Sequence, residues 1–337
     1  MTKYYLGVDV GNTKSHALIA DEQGQAIGFS ETGPGSWEAI GWQGAREVLG
    51  DLIHRTLTSA GLDMGVLTGA GFGLAGYDWP EDVEPHRRMI DSLDLGAPYA
   101  MVNDAMSGLL AGSRTGWGVA VSAGTSVNCR GRDQQGRVGR VTGSSALFGE
   151  HAGALELVGK AVQAVAAAWT QRGPSTVLGG AFLEATGARD TVDLLAGLAR
   201  DRYYLGPAHA PIVFDVAASG DQVAQDLITW SGRGLGDLAN GVIRQLNFEN
   251  SAFEVVLAGS FYKGSPRLID VMRETIHAVA PLARLVRLRV PPVVGATLLG
   301  MEQGGLDAQT VRRRLIDSTG VLLDRDRQSN KKDVSQT

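Results

Sequence analysis

Residues 4–15 read Tyr-Tyr-Leu-Gly-Val-Asp-Val-Gly-Asn-Thr-Lys-Ser, a pattern that predicts a strand followed by a tight polar turn. Further apolar runs cover residues 17–20 and 26–29, so the opening predicts three antiparallel strands. The turn at Gly11–Lys14 offers backbone N–H groups and small polar side chains, where a phosphate could bind. Asp9 beside it could hold Mg²⁺, usually through water. An ordinary hairpin would explain the same residues.

Three later stretches have a related character. Asp104 closes a short apolar run and stands before a helix-like stretch at residues 105–111. Residues 118–129, Gly-Val-Ala-Val-Ser-Ala-Gly-Thr-Ser-Val-Asn-Cys, again run from a strand into a Ser/Gly/Thr turn and then into a second strand. Residues 253–260 end a further strand in a Gly-Ser turn. The whole series, in this order, is a far more specific signal than any one turn.

The order of these features resembles the sugar kinase/Hsp70/actin superfamily. More closely, the chain is similar to the N-acetylglucosamine kinase group, which shares a family with the BadF/BadG/BcrA/BcrD-type ATPases. The resemblance covers roughly residues 4–303. In chain order it comprises a first phosphate motif (residues 7–15), a sugar loop (33–37), the strand and turn before the catalytic segment (72–78) and that segment itself (103–105). A second phosphate motif (124–129), an adenosine motif (258–260) and a closing helix (294–296) follow.

The resemblance implies an α/β protein with the two-lobed, actin-like ATPase fold, in which two related ribonuclease H-like domains flank an interlobe cleft. It assigns residues 1–114 to the N-terminal lobe, residues 115–292 to the C-terminal lobe, and residues 293–323 to helices that return to the first lobe. Helices are expected to dominate residues 155–247. Residues 324–337 are polar and charged with almost no apolar side chains, which predicts a disordered tail.

The resemblance also implies the site residues. Asp104 is expected to be the general base that takes the proton of the sugar hydroxyl, although the position also suits a helix N-cap. The expected ATP-binding residues are Gly11, Asn12, Thr13, Lys14, Gly124, Thr125, Ser126, Gly259 and Ser260. The expected substrate-binding residues are Gly35, Ser36, Asn103, Asp104, Gly143, Ser144 and Glu150. Plain loop or cap roles are the alternative for Ser36, Ser144 and Glu150, and Trp37 suits either sugar stacking or core packing.

The sequence departs from the family pattern at three places. The second phosphate motif reads Gly-Thr-Ser-Val from Gly124, where the family usually has Gly-Thr-Gly-Ser. Ser36 stands where the sugar loop often has Asn, and the block at residues 142–153 lacks the expected Trp. The expected phosphoryl donor is ATP with Mg²⁺, and the expected acceptor is an amino sugar of the N-acetylglucosamine or glucosamine type. The departures leave the identity of that sugar open.

The 337-residue chain is 44% hydrophobic and 20% charged with a formal net charge of −5, as in ordinary soluble globular proteins. This balance indicates neither a nucleic-acid nor a membrane partner. The N-terminal residues lack a signal-peptide pattern and no apolar run approaches the roughly 20 residues of a membrane span, so a cytoplasmic location is expected. The six histidines show no metal-ligand spacing, which leaves magnesium as the expected metal. A homodimer is left open.

The single cysteine, Cys129, bears on the competing functions. The activator ATPases of this family hold an iron–sulfur cluster between two subunits, and ligation by thiolates normally needs about four cysteines. One cysteine per subunit does not supply them, which disfavours the activator role. Two alternatives stay open. One is a kinase for another acceptor, such as a hexose, a muramic-acid-type sugar or pantothenate, and the other is a regulatory ATPase that hydrolyses ATP slowly to drive domain closure.

Overall fold

The computed structural model describes residues 2–143 and 145–334, and the chain divides into two compact units. Unit 1 comprises Met1–Gly118 and Val286–Thr337, and unit 2 comprises Val119–Leu285. Two five-stranded sheets form the framework.

The elements follow one another along the chain as strands and helices in mixed order. The strands are β1 (Tyr4–Val10), β2 (Ser15–Asp21), β3 (Ala26–Thr32), β4 (Leu67–Leu74), β5 (Tyr99–Asn103), β6 (Gly118–Ala123), β7 (Val127–Arg132), β8 (Val138–Arg140), β9 (Glu254–Ala258) and β10 (Arg284–Arg287). The α-helices are α1 (Trp37–Ser59), α2 (Val83–Asp91), α3 (Asp104–Gly112), α4 (Ala154–Trp169), α5 (Leu178–Thr186), α6 (Thr191–Leu198), α7 (Ala210–Ala218), α8 (Gln222–Gln245), α9 (Pro266–His277), α10 (Val293–Gln303) and α11 (Ala308–Val334). Within the described chain, none of these helices is both long and apolar enough to cross a membrane.

The first sheet has the strand order β3-β2-β1-β4-β5. β1 is antiparallel to β2, and β2 to β3, which confirms the three antiparallel strands predicted for the N-terminus. β1 is parallel to β4, and β4 to β5, so the carboxyl ends of these strands share one edge of the sheet. The register pairs Val10 with Leu74, and Leu74 with Asn103, so the three strands end level with one another.

Both faces of this sheet are covered by helices, which explains why β1 and β2 read as nearly continuous apolar runs. On one face, Leu6 and Val8 of β1 cluster with Leu49 of α1. On the other face, Tyr5 of β1 clusters with Leu298 of α10. Full burial of each large apolar side chain contributes about 1.5–3 kcal/mol, so the two clusters hold the sheet between its helices.

Helix α10 approaches β1 and β4 at backbone distance because glycines face it. A Cβ on Gly71 would overlap the carbonyl oxygen of Ala296 and lie 2.7 Å from the backbone nitrogen of Gly300. A Cβ on Gly7 would overlap Thr297, including its backbone. Since the obstructing atoms are main chain, no change of rotamer could make room. The glycines of the opening strand therefore have a packing role as well as a turn role.

The second sheet repeats the strand order of the first. Its order is β10-β9-β6-β7-β8. When β6 to β10 are taken as the counterparts of β1 to β5 and the list is read from its other end, this is the order of the first sheet. β6 is parallel to β9 and β7 is antiparallel to β8, as β1 is to β4 and β2 is to β3. Two related domains were predicted from the family resemblance, and the topology shows the relationship. Helices α4 to α8 occupy the region predicted to be helical.

The C-terminal helix differs from the expectation. The sequence predicts a disordered tail from residue 324, whereas the structure continues α11 to Val334. The helix is nucleated earlier, where Leu315 packs into a buried cluster, and extending an existing helix costs far less than starting one. Residues 324–334 contain neither Gly nor Pro to stop it.

We expect Gly71→Ala to destabilise the protein by about 1–3 kcal/mol, because the new methyl group must push α10 away from β4. Gly65→Ala is the matched control, since no atom of the described chain lies within 4 Å of its Cβ position. It should shift stability by at most about 1 kcal/mol, in the stabilising direction, by restricting the unfolded chain. Urea denaturation measures both variants, and equal midpoints would contradict the packing argument.

Candidate active site

Three polar segments begin where the parallel strands β1, β4 and β5 end. Gly11 follows β1, Ala75 follows β4 and Asp104 follows β5. Because the strands end level, the segments start side by side at one edge of the sheet. Open α/β sheets bind ligands just beyond the carboxyl ends of their strands. The structure therefore brings the first phosphate motif and the predicted catalytic acid to one place.

The turn after β1 is tight and its side chains are exposed. A Cβ on Gly11 would lie 2.6 Å from the carbonyl oxygen of Lys14, so the turn closes in this form only with glycine. Asn12, Thr13 and Lys14 are exposed. Nζ of Lys14 lies 3.6 Å from Oε2 of Glu31. A turn of this kind presents N–H groups and small polar side chains to an anion, with a cation beside them.

Asp9 directly precedes the last residue of β1, and its Oδ1 atom is buried. Within the described chain, Oδ1 of Asp9 has no hydrogen-bond partner. Burial raises the pKa of the Asp9 carboxyl well above its usual range, and the nearby charge of Asp104 raises it further, with Lys14 partly opposing. A bound divalent cation would stabilise the ionised carboxylate. The residues present therefore fit magnesium. Since no three acidic, His or Cys side chains of the described chain form a metal cluster, its remaining ligands would be water and phosphate oxygens.

Asp104 is the first residue of α3 and is half-buried. The N-cap of this helix is Asn103, whose Oδ1 accepts a hydrogen bond from the backbone N–H of Ala105 at 3.0 Å. Oδ1 of Asp104 accepts from the same N–H at 2.8 Å, which fixes the orientation of the carboxylate. The cap role that the sequence offered for Asp104 is therefore filled by its neighbour.

Asn103 reaches in a second direction as well. Its Nδ2 donates a hydrogen bond to Oδ1 of Asp78 at 3.2 Å and to the carbonyl oxygen of Tyr77 at 3.5 Å. The residue is only 7% exposed. Both ends of this amide are thus engaged inside the protein. The structure places Asn103 at the predicted site, as a link between the start of α3 and the segment after β4.

The predicted sugar loop, residues 33–37, is tied to both neighbouring segments. Ser36 is 1% exposed, and its Oγ accepts from the N–H of Glu38 at 3.3 Å and donates to the carbonyl oxygen of Ala75 at 3.4 Å. The N–H of Gly35 donates to the carbonyl oxygen of Gly11 at 3.2 Å. Ser36 therefore caps the N-terminus of α1 and links two loops. This is the loop or cap role that the sequence left open as the alternative to sugar binding.

Aromatic rings support the same loops. The ring of Trp37 stacks on Trp42 at 4.8 Å, and its Nε1 donates to the carbonyl oxygen of Gly76 at 2.8 Å. Trp42 lies edge-on to His86 at 4.9 Å, and His86 lies edge-on to Tyr77 at 5.2 Å. Trp37 is thus packed against the protein, and the series of rings joins the sugar loop to the segment after β4.

In unit 2, the predicted second phosphate motif forms the turn between β6 and β7. The N–H of Gly124 donates to the carbonyl oxygen of Ser126 at 3.0 Å, which closes the turn. The first N–H groups of α4, from Ala154 and Leu155, donate to the carbonyl oxygens of Gly124 and Thr125 at 2.9 and 3.1 Å. The turn is therefore held by its own hydrogen bond and by the N-terminus of a helix.

A cavity of ≈ 640 Å³ opens beside this turn. The predicted adenosine motif borders it, with Gly259 at φ +104° where a Cβ would overlap the carbonyl oxygen of Ala123. Gly124, Thr125 and Ser260, three of the residues expected to bind ATP, line the cavity. The rest of the wall was not predicted from the sequence, and it includes Pro207, Pro211, Phe214, Asp215, Phe261 and Lys263. The prolines around His209 marked a turn, but nothing in that stretch indicated a ligand.

Glu150 is buried, and its carboxylate accepts three hydrogen bonds from the segment just before it in the chain. Its Oε1 accepts from the N–H of Thr142 at 2.6 Å, and its Oε2 accepts from Oγ1 of Thr142 and the N–H of Gly143, both at 2.8 Å. Glu150 thus organises residues 142–143, and Gly143 is one of its donors. Ser144, also predicted for the substrate, lies outside the described residues.

Solved structures share this fold. A structure from Chromobacterium violaceum, assigned as an N-acetylglucosamine kinase, aligns with a TM-score of 0.64 and 22% identity, covering 88% of this chain and 98% of that chain. The ROK family glucokinase from Streptomyces griseus, in complex with glucose and AMPPNP, aligns with a TM-score of 0.53 and 18% identity over 91% and 98% of the two chains. The chain has the α/β fold of the two-lobed, actin-like sugar kinases, as predicted.

Sequence relatives cover nearly the whole chain. The N-acetylmuramic acid/N-acetylglucosamine kinase of Clostridium acetobutylicum is 24% identical over 303 residues, which is 89% of this chain and 99% of the relative. The N-acetyl-D-glucosamine kinase of Dictyostelium discoideum is 24% identical over 311 residues, or 88% and 97% of the two chains. The model of the BadF/BadG/BcrA/BcrD ATPase family matches residues 6–300, so the chain belongs to that family.

Proposed function

We propose that this protein transfers the γ-phosphoryl group of ATP to a hydroxyl of an amino sugar of the N-acetylglucosamine or glucosamine type. The observation that carries the proposal is the pair of carboxylates Asp9 and Asp104, which interact electrostatically beside the turn at Gly11–Lys14. Phosphoryl transfer requires neutralised phosphates and a base for the attacking hydroxyl. Asp9 serves the first requirement by holding magnesium, and Asp104 serves the second as the base.

The acceptor class follows the relatives. Both sequence relatives described above are named as kinases of N-acetylglucosamine, and the one from Clostridium acetobutylicum is also named for N-acetylmuramic acid. Both match this chain from end to end rather than over a single motif. The family itself is one of ATPases, which supports ATP as the donor.

The roles of the turns follow from their hydrogen-bonding groups. In unit 1, the turn at Gly11–Lys14 binds phosphate through its N–H groups and Lys14. In unit 2, the turn at Gly124–Ser126 binds phosphate through Thr125 and Ser126, since the N–H of Gly124 closes the turn, and the adjoining cavity lined by Ser260 takes the adenosine. That cavity lies within the usual range of about 300–1,000 Å³ for small-molecule sites. Magnesium, held by Asp9 through water, would neutralise phosphate charge.

Asp104 takes the proton of the acceptor hydroxyl in this proposal. Its orientation is set by the N–H of Ala105, and Asn103 caps the helix independently. The carboxylate can therefore change its protonation state without uncapping α3. Asp9 is less suited to be the base because its Oδ1 is buried and has no hydrogen-bond partner within the described chain.

The activator role is disfavoured by the environment of Cys129 as well as by the cysteine count. The residue is fully buried, and burial raises the pKa of its thiol. A cluster held between two subunits needs cysteines at the subunit surface, and the buried Cys129 does not lie there. Sugar-dependent release of ADP distinguishes the kinase from a regulatory ATPase, whose ADP release would be indifferent to sugar.

We expect Asp104→Asn to lower kcat by about 10²–10⁴-fold while the affinity for ATP stays within about threefold. The amide keeps an acceptor for the N–H of Ala105 but cannot take the hydroxyl proton. Asp63→Asn is the matched control, an exposed acid at a helix start with no side-chain cap hydrogen bond. A coupled ADP assay and nucleotide titration measure the two effects. Near wild-type turnover in Asp104→Asn would place the base elsewhere.

Asp9→Asn should raise the melting temperature of the metal-free protein at neutral pH while removing most of its kinase activity. The pKa of Asp9 is raised on folding, so its ionisation destabilises the folded state. The loss of stability begins as the pH rises past the pKa of an Asp in the unfolded chain, about 3.9, and is complete above the raised pKa of Asp9 in the folded protein. The gain from Asn should therefore shrink on acidification. Thermal scans between pH 3 and pH 8 give the comparison, and a gain independent of pH would refute the assignment.

We expect weak discrimination between N-acetylglucosamine, glucosamine and glucose, or a preference for a sugar without the acetyl group. Ser36 replaces the family's frequent Asn and is used inside the protein, and the block at residues 142–153 lacks the expected Trp. Each lost contact to an acetamido group is worth on the order of 1–3 kcal/mol. Values of kcat/KM for the three sugars test this. A preference of about a hundredfold for N-acetylglucosamine would show that other residues form an acetamido pocket.

A further inference from the structure

One side chain of α3 has no role in the proposal so far, although it lies about one turn beyond the predicted base, Asp104. Ser107 is fully buried, and its Oγ has no hydrogen-bond partner among the residues that the structure describes. Buried hydroxyls without a partner are uncommon, since burial removes them from water without replacing the lost hydrogen bonds. Ser107 therefore needs an explanation that helix packing alone does not give.

The usual role of a hydroxyl in a helix does not apply to Ser107. Ser and Thr side chains in helices commonly donate to the carbonyl oxygen four residues earlier. Three buried threonines of this protein do so at 2.7, 2.9 and 2.7 Å, namely Thr56 to Leu52, Thr297 to Val293 and Thr319 to Leu315. Ser107 makes no such hydrogen bond, so its hydroxyl is not used by its own helix.

A second buried oxygen without a partner lies close to Ser107. Asp9 of β1 and Gly73 of β4 are neighbours in the parallel register. A Cβ on Gly73 would overlap Oγ of Ser107 and lie 3.3 Å from Oδ1 of Asp9, so the two oxygens border the same small space. Oδ1 of Asp9 also has no hydrogen-bond partner in the described parts of the chain. A donor and an acceptor, both buried and both unpartnered, therefore lie beside one glycine.

We propose that Ser107 is a positioning residue for the metal, and that its hydroxyl donates a hydrogen bond to Oδ1 of Asp9. The inference rests on the kinase function proposed above, in which Asp9 holds magnesium through water. A carboxylate accepts hydrogen bonds, and a Ser hydroxyl can rotate its proton to supply one. With Oδ1 bound on the inside, Oδ2 is the oxygen that remains for the water shell of the cation.

This role gives α3 two functions and gives Gly73 a reason. The helix carries the predicted base, Asp104, at its first residue and would orient Asp9 through Ser107. Any side chain at position 73 would fill the space that Oγ of Ser107 and Oδ1 of Asp9 share. Groups that hydrogen-bond a metal-binding carboxylate fix its orientation, and their removal typically lowers metal affinity by about 10- to 100-fold.

The test is the Kd of Mg²⁺ in the wild-type protein and in Ser107→Ala, titrated with a saturating non-hydrolysable ATP analogue. We expect the Kd to rise about tenfold in the variant. The melting temperature of the metal-free protein should stay the same or rise, because an unpartnered buried hydroxyl contributes no hydrogen bond to lose. An unchanged Kd, or an equal loss of melting temperature with and without Mg²⁺, overturns the inference.

Two further variants separate positioning from general damage. Ser113 is also fully buried and ends the same helix, but its Oγ donates to the carbonyl oxygen of Trp117 at 2.9 Å. Ser113→Ala should therefore lower the melting temperature equally with and without Mg²⁺ and leave the Kd of Mg²⁺ unchanged. Ser107→Cys keeps a weak donor, so its Kd should lie between those of the wild type and Ser107→Ala. A higher Kd in Ser107→Cys than in Ser107→Ala contradicts the hydrogen bond.

A double-mutant cycle tests whether Ser107 acts through Asp9. Ser107→Ala should lower kcat/KM in the wild-type background, but should cause less than about a twofold further loss when Asp9 is already Asn, because the group it positions is gone. A full additional loss in the Asp9→Asn background would assign the effect of Ser107 to something other than Asp9.

The metal titration also distinguishes this inference from the kinase proposal. A weaker affinity for Mg²⁺ in Ser107→Ala supports the inference even if no sugar is phosphorylated, and in that case the kinase function alone fails. Sugar-dependent ADP release with an unchanged affinity for Mg²⁺ in Ser107→Ala leaves the kinase function standing and overturns the role of Ser107.

Discussion

The backbone contact between α10 and the glycine-lined strands β1 and β4 is the constraint on which the candidate site of unit 1 depends. Gly295 of α10 also lies against the carbonyl oxygen of Ser107 in α3, where a Cβ would overlap it. One helix thus sets the strand that carries Asp9 and the helix that begins with Asp104. Because no side chains lie between these backbones, a shift of α10 would displace the strands and α3 directly. The spacing of the two carboxylates follows from this packing.

The site places a charged group where its surroundings disfavour the charged form. Asp9 is ionised only at a cost in stability, because its carboxyl is buried and lies near the charge of Asp104. Natural proteins commonly retain such unfavourable groups where a ligand will compensate them. The loops around the site stabilise it, since Ser36 and Asn103 each make hydrogen bonds to two different segments.

The sequence predicted those features that depend on local pattern. The glycine turns at Gly11 and Gly124, the strand that ends just before Asp104, and the helices between residues 155 and 247 all follow from residue type and spacing. The wall formed by Phe214 and Lys263 could not be read in this way, because tertiary packing brings it to the cavity. Ser36 and Glu150 show a different limit. A polar residue in a loop signals a hydrogen bond, but the sequence does not tell whether a ligand or the protein's own backbone is the partner.

The matching strand orders of the two sheets describe a duplication whose copies have diverged unequally. Aligning the turn at Gly11 with the turn at Gly124 sets Asp9 of β1 against Ser122 of β6. One copy kept an acid at the strand end and the other kept a hydroxyl. In the proposed function, the cation is therefore held from a strand of unit 1, and the matching strand of unit 2 has no carboxylate at that position with which to hold a second one.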